Sequence, residues 1–282
     1  MASLSVGELQ EMEVDRRGES EESGDDETRT KSINGDVDPS QPTGTSKEES
    51  PVDMDTITLE PEEEDVDLVH LLIGKIEGLE NLEELTTLKK PFLVHNKVTA
   101  ISNLDHLTGL EMLELGSNRI MVIENLDALS SSQSLFLGTN ETTKLHNLKS
   151  LHNLTVLSVQ SNWITKIGGL QNLINLKELN LSHNVVKVIE GLENDKKLTT
   201  LDDAANRVKK IENISHLTEL QEFWMNDIQI DTWSDHDELK NAQSLETVYL
   251  ELNPLQKDLP YRRKIMLPLP SVRQIDATFI RF

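Results

Sequence analysis

The sequence predicts an α/β repeat fold: a solenoid of 22-residue units with a concave parallel β-sheet, short helical or 3-10 segments on the convex side, and a disordered acidic tail in front. Three observations predict it. Asparagine recurs at an interval of 22, at Asn96, Asn118, Asn140, Asn162, Asn184 and Asn206. Leu or Ile recurs around each one at fixed offsets, as in Leu110, Leu113, Leu115, Ile120, Ile123, Leu126 and Leu129. Charge is divided unevenly: residues 1–67 hold 22 Asp and Glu against 5 Lys and Arg, and the rest of the 282-residue chain holds 28 against 22.

The tail, residues 1–65, is rich in Glu, Asp, Ser, Gly and Pro and has no aromatic side chain. It offers too little apolar surface to offset the entropy of ordering it, so disorder is expected. Within it Ser20 and Ser23 sit in a Glu-Ser-Glu-Glu-Ser-Gly-Asp-Asp-Glu run. Serine followed by acids suits acidophilic kinases, which makes both candidate phosphorylation sites. The plain alternative is a solvated acidic spacer.

Next comes the array, whose period and offsets are those of the leucine-rich repeat. Repeats of 22 residues are expected over 66–244, and a final repeat with a C-terminal cap over 245–282. The first unit carries Gly74 in the asparagine slot, a degeneracy that suits a terminal repeat. Six units with asparagine follow, starting at Leu88, Leu110, Ser132, Leu154, Leu176 and Leu198. The next starts at Leu220 with Ile228 in the slot, and Asn253 comes 25 residues later. In each unit a segment such as Leu179-Asn180-Leu181 is a short strand, with leucines inward and the middle residue outward. The asparagine amide then serves peptide groups that no strand partner reaches. Pro91, Ser132, Thr142 and Asp203 occupy places where the frame wants an aliphatic residue, and Asp203 is expected to point into the core.

Several functions are disfavoured. There is no cysteine, so a reducing compartment is the simplest reading. No signal-peptide h-region and no apolar run of about 20 residues is present. We find no phosphate-cradling glycine loop, zinc spacing or nucleophile constellation, so neither catalysis nor a cofactor, metal or small-molecule substrate is expected. Asp202 and Asp203 are adjacent, but alternation sends them to opposite faces. The acidic balance, a net charge of −23, speaks against nucleic acid as partner.

What remains is a binding surface. The outward position four residues before each asparagine slot reads Phe92, Glu114, Phe136, Ser158, Asn180, Asp202, Trp224 and Tyr249. Glu222 lies two residues before Trp224 and also faces out. Four of the chain's ten aromatic residues therefore share one concave stripe with carboxylates. Rings grouped on one surface mark interaction sites.

The second half of the unit carries a further signature. Ile76-Glu77-Gly78-Leu79, Ile123-Glu124-Asn125-Leu126, Ile189-Glu190-Gly191-Leu192 and Ile211-Glu212-Asn213-Ile214 share it. With the 22-residue period, the runs 214–227 and 269–278 and the tail segment 12–17, it makes the chain resemble the leucine-rich-repeat regulators of protein phosphatase 1, in a shortened or diverged version. The resemblance implies a non-catalytic regulatory subunit of the nucleus and cytoplasm. It would bind the phosphatase catalytic subunit through the concave face and modulate its activity, maturation or location. It implies the contacts Phe92, Glu114, Phe136, Asp202, Glu222, Trp224 and Tyr249. The alternative is an acidic chaperone or scaffold for basic, histone-like proteins, although such proteins carry the acidic tail at the other end.

Overall fold

The computed structural model describes residues 57–58, 64–76, 79–80, 85–233 and 238–280, with the backbone alone at 57–58 and 79–80. The acidic tail up to residue 56, with Ser20 and Ser23, lies outside the described residues. All described residues belong to one compact unit, Pro51–Phe282.

Nine short strands run parallel in chain order: β2 (Asp65–Asp67), β4 (Lys90–Phe92), β5 (Met112–Glu114), β6 (Ser134–Phe136), β7 (Val156–Ser158), β8 (Glu178–Asn180), β9 (Thr200–Asp202), β10 (Glu222–Trp224) and β11 (Thr247–Tyr249). Two strands of the cap extend this sheet, β12 (Gln274–Ile275) in parallel and β13 (Thr278–Phe279) in antiparallel. A separate pair joins β1 (Ile57–Thr58) to β3 (Leu79–Glu80). Register shifts by 22 residues from Phe92 to Trp224. It shifts by 25 at both ends, from Asp65 to Lys90 and from Trp224 to Tyr249.

The strands are short because each unit must turn back after one inward residue. In β5 the central Leu113 is buried and its two neighbours are half-buried. Stacking repeats this, so Leu113, Leu157, Leu179 and Leu201 form one column of the core with no exposed surface. The backbone then needs partners that the strands do not supply, and the asparagines supply them. Asn118 accepts the Val98 N–H through Oδ1 at 2.9 Å and donates through Nδ2 to Leu93 O at 2.8 Å and Leu115 O at 3.0 Å. Asn140, Asn162, Asn184 and Asn206 make the same set. Each amide thus joins its own turn to the preceding one, which explains why the period is written in asparagine.

The Gly-or-Asn choice in the second signature also has a backbone cause. Asn103, Asn125, Asn147, Gly169, Gly191 and Asn213, at 22-residue spacing, all have positive φ. A Cβ at Gly191 would lie 2.7 Å from Ile167 O, whereas Asn213 donates its amide to Ile189 O, the equivalent carbonyl, at 2.8 Å. Asparagine tolerates this left-handed conformation better than other residues with a side chain. Beyond it the convex side runs through successive short turns, such as Leu107 N–H to Leu104 O and Leu110 N–H to Leu107 O, both 3.1 Å. These are isolated 3-10-type bonds; among the described residues 3-10 helix also appears at 76 and 238–239, and the cap holds a 3-10 turn (Pro254–Lys257) and the α-helix α1 (Tyr261–Met266).

Where the frame fails, two polar residues are repaired and two are not. Ser132 Oγ donates to Leu110 O at 2.8 Å and Thr142 Oγ1 to Ile120 O at 3.1 Å, each reaching the preceding unit. Asp203 points inward as expected, fully buried, and neither carboxyl oxygen has a partner. Burial, then the neighbouring Asp202, holds its carboxyl well above the usual range. Asp195 is equally unpartnered and buried, on the convex side. Its desolvation, then Glu193, pushes it up to about 7. Ile228 is buried in an asparagine slot and offers the Val208 N–H no acceptor. In the cap, Asp276 takes over the amide's work. Its Oδ1 accepts the Leu250 and Glu251 N–H groups at 3.0 Å and the Tyr261 hydroxyl at 3.1 Å.

Candidate functional site

Parallel pairing aligns the outward residues into one ladder across the concave face. Phe92 faces Glu114, which faces Phe136, and the row continues through Ser158, Asn180, Asp202, Trp224 and Tyr249. Glu222 lies one place earlier on the same face, between Thr200 and Thr247. All seven candidate residues therefore share one surface.

Their environments differ. At one end Glu114 lies between Phe92 and Phe136, and its Oε1 accepts the Gly116 N–H at 2.8 Å. The rings exclude water, and desolvation pushes the carboxyl up to about 7 against the opposing pull of that hydrogen bond. At the other end Trp224 and Tyr249 stack with centroids 4.1 Å apart and planes 3° from parallel. The Trp224 indole N–H donates to Glu222 Oε2 at 3.2 Å, and the Gln274 amide donates to the Tyr249 hydroxyl at 2.8 Å. Both rings are thus oriented before any partner arrives.

Between the two ends the row sinks. Ser158, Asn180 and Asp202 are buried, Asp202 at 3% exposure. Asp202 Oδ1 accepts the Ala204 N–H at 3.1 Å. Asp202, expected among the outward carboxylates of the stripe, is corrected here to a buried one: small side chains on a concave sheet are covered by their neighbours, so it forms floor rather than rim.

Three further residues belong to this surface and were not singled out from the sequence. Glu178 is separated from Glu222 by Thr200. Burial, then the charge of Glu222, raises its carboxyl pKa. Glu251 lies two residues past Tyr249, and burial raises it too. Gln274 holds the Tyr249 hydroxyl from β12. Period-2 alternation was the available signal for the two glutamates, while Gln274 required the cap's register. Among the described residues no group of three or more His, Asp and Glu side chains could hold a metal ion.

A family model described as leucine-rich repeats in two copies matches residues 152–203. Protein phosphatase 1 regulatory subunit 7 of Danio rerio is 66% identical over 345 aligned positions, which cover 100% of both chains. The chain belongs to the protein phosphatase 1 regulatory subunit 7 family. The Homo sapiens member is 77% identical over 53 residues, 19% of this chain and 15% of that one. Regulatory subunit SDS22 of Schizosaccharomyces pombe is 46% identical over 70 residues, 24% of this chain and 21% of that one. Among solved structures, a leucine-rich-repeat protein of Leptospira interrogans has a TM-score of 0.64 at 23% identity, covering 74% of this chain and 59% of that one. An internalin C2 of Listeria monocytogenes has 0.60 at 23%, covering 69% and 83%. These two likenesses concern the fold alone.

This chain is shorter than its alignment with the Danio rerio member. Against the Danio rerio member, 63 of the 345 aligned positions have no residue in this chain.

Proposed function

We propose that this chain is a non-catalytic regulatory subunit that docks the protein phosphatase 1 catalytic subunit on its concave face and modulates its activity, maturation or location in nucleus and cytoplasm. Family membership supports the phosphatase as partner. The observation that carries the choice of surface is the stacked, hydrogen-bonded Trp224–Tyr249 pair at the end of a continuous aromatic and acidic ladder. Rings ordered in advance lose little entropy on binding, and such aromatics concentrate interface energy. The acids Glu222, Glu178 and Glu251 beside them favour a basic surface on the partner and fix its orientation. Phe92, Glu114 and Phe136 form a second contact, and Asp202 supports the floor between them.

The test is a binding titration of the full chain against the purified catalytic subunit, with circular dichroism as a check on folding. Loss of binding in a folded Phe136→Ala, Trp224→Ala, Tyr249→Ala variant is the expected result, and unchanged binding would sink the concave-face reading. The chaperone alternative predicts instead that affinity for basic proteins depends on the acidic tail and not on these rings.

A further inference from the structure

A second backbone ladder runs along the flank where the chain leaves each asparagine turn. The N–H of the residue after the asparagine donates to a carbonyl of the preceding turn: Arg119 to Val98 at 2.9 Å, Trp163 to Thr142 at 2.9 Å, Val185 to Ile164 at 3.0 Å and Arg207 to Val186 at 2.8 Å. The flank therefore has the same register as the sheet. Across the six turns from Asn96 to Asn206, the first, third and fourth places after asparagine are all exposed except the half-buried Val185. Lys97, Arg119 and Arg207 occupy first places, and Lys144, Lys166, Lys187, Lys209 and Lys210 third or fourth places. Glu141 is the one acid among these 18 positions. On a body whose overall balance is acidic, this is a sharply segregated basic stripe, which the chain's overall composition conceals.

Only a little of that charge is answered locally. Lys166 pairs with Glu190 at 3.2 Å and Lys210 with Glu212 at 3.6 Å, both at the surface. Among the described residues the other six cations have no carboxylate within 4.0 Å. In their midst Trp163 is 60% exposed, with Val185 on the next turn and Val188, 40% exposed, close by in the same register. An open indole beside aliphatic side chains and unpaired cations is the composition of a binding hot spot, not of an idle solvated face.

We propose that this flank docks an extended acidic segment of a partner protein, with an apolar side chain of that segment covering Trp163. Charge complementarity selects the acidic chemistry. The stripe spans six turns spaced by about 4.8 Å, or roughly 24 Å, which an extended segment of about seven residues covers. A nucleic-acid strand would be served by a series of rings for successive bases. The flank positions hold one ring, Trp163, and aliphatic neighbours instead. The site is independent of the concave face, so either reading can fail without the other.

The experiment is fluorescence anisotropy of the full chain with a labelled peptide of about twelve Asp and Glu residues around a central Leu, long enough to overhang the stripe. A peptide with Gln and Asn in place of the acids, an all-acid peptide without Leu, and labelled oligothymidylate are run beside it. The acidic peptide is expected to bind, and salt to weaken it. Lys187→Glu with Arg207→Glu and Lys209→Glu should reduce binding at least about tenfold, and Trp163→Ala about tenfold, each in a protein with unchanged circular dichroism. Omitting the Leu should mimic Trp163→Ala, and Trp224→Ala should change nothing. No binding by the wild type, or equal binding by the folded triple variant, overturns the proposal. Tighter binding of oligothymidylate overturns it in favour of a nucleic-acid surface. Self-association on sedimentation that the triple variant abolishes overturns it in favour of a contact between copies.

Discussion

The two ends of the concave ladder hold the same residue classes in opposite physical states. At Phe92–Glu114–Phe136 the rings enclose the acid, and burial pushes Glu114 up to about 7. At Glu222–Trp224–Tyr249 the acid holds the ring from outside, and the rings cover one another. The foundations differ too. The first end rests on turns whose asparagines all make their bonds, Asn96, Asn118 and Asn140. The second rests on the buried Asp203 and on Ile228, which makes no such bond. One end is soundly built and carries a titrating group. The other has the better-ordered contact surface over the weakest part of the array.

The largest expected effect tests that foundation. Asp203 takes the inward place that Leu181 and Met225 fill in the neighbouring units. Asp203→Leu removes an unpartnered buried carboxyl and adds apolar burial, and should stabilise the protein by roughly 3 kcal/mol. The sign with pH follows from linkage. A carboxyl whose folded pKa is raised above 3.8 binds its proton more tightly when folded, so its stabilising effect is complete below that value and declines as pH rises. Asp195 acts the same way between about 3.8 and about 7. Urea unfolding at several pH values should show wild-type stability falling over this range, with a shallower fall in Asp203→Leu. An unchanged midpoint and slope would mean that the carboxyl is solvated after all.

Next in size is the contrast in binding. Trp224→Ala should weaken docking of the phosphatase catalytic subunit by about 2 kcal/mol or more, with Tyr249→Ala and then Phe136→Ala smaller. Lys149→Ala, on exposed surface away from the ladder, serves as a control that should change almost nothing. If Phe136→Ala costs more than Trp224→Ala in a calorimetric titration, the enclosed end is the anchor and the comparison reverses.

The fold was legible because one number, 22, fixes both the strand register and the stacking of the core. The asparagine slot and the Gly-or-Asn position could each be read from residue type, since each answers a backbone demand: amide bonds at Asn118, a left-handed φ at Gly191. The face on which Phe92, Glu114, Phe136, Trp224 and Tyr249 stand follows from alternation. Depth does not follow. Asp202 is buried by the curvature of the sheet, which no spacing encodes. The stacking of Trp224 on Tyr249 depends on rotamers chosen in three dimensions, and on Gln274 arriving from the cap. Asp195 stands where Leu129, Leu151, Leu173 and Leu217 stand in other units, so its inward place follows from the same period.

A smaller change sharpens the same contrast. Ile228→Asn restores an amide to the turn under Trp224 and offers Val208 N–H an acceptor, as Asn206 does for Val186 at 2.9 Å. A gain of about 1 kcal/mol in unfolding free energy is expected, the net worth of a buried hydrogen bond set against lost apolar burial. Hydrogen exchange at Val208 gives a local reading. Protection there that does not increase in the variant would show that the side chain fails to reach its partner.

The smallest effect distinguishes the two ends by pH. Glu114, raised to about 7, is partly protonated near neutrality in the free chain. If a cation on the partner meets this carboxyl, docking favours its charged form and releases a proton. Affinity should then rise with pH until Glu114 is fully ionised, by less than tenfold per unit near its pKa. Glu114→Gln keeps the shape and the Gly116 contact while removing the titration, so its binding should be flat over the same interval. Glu222→Gln should instead reduce the salt dependence of association. Parallel pH curves for wild type and Glu114→Gln would place the titrating group elsewhere, and would leave the enclosed end with an apolar role alone.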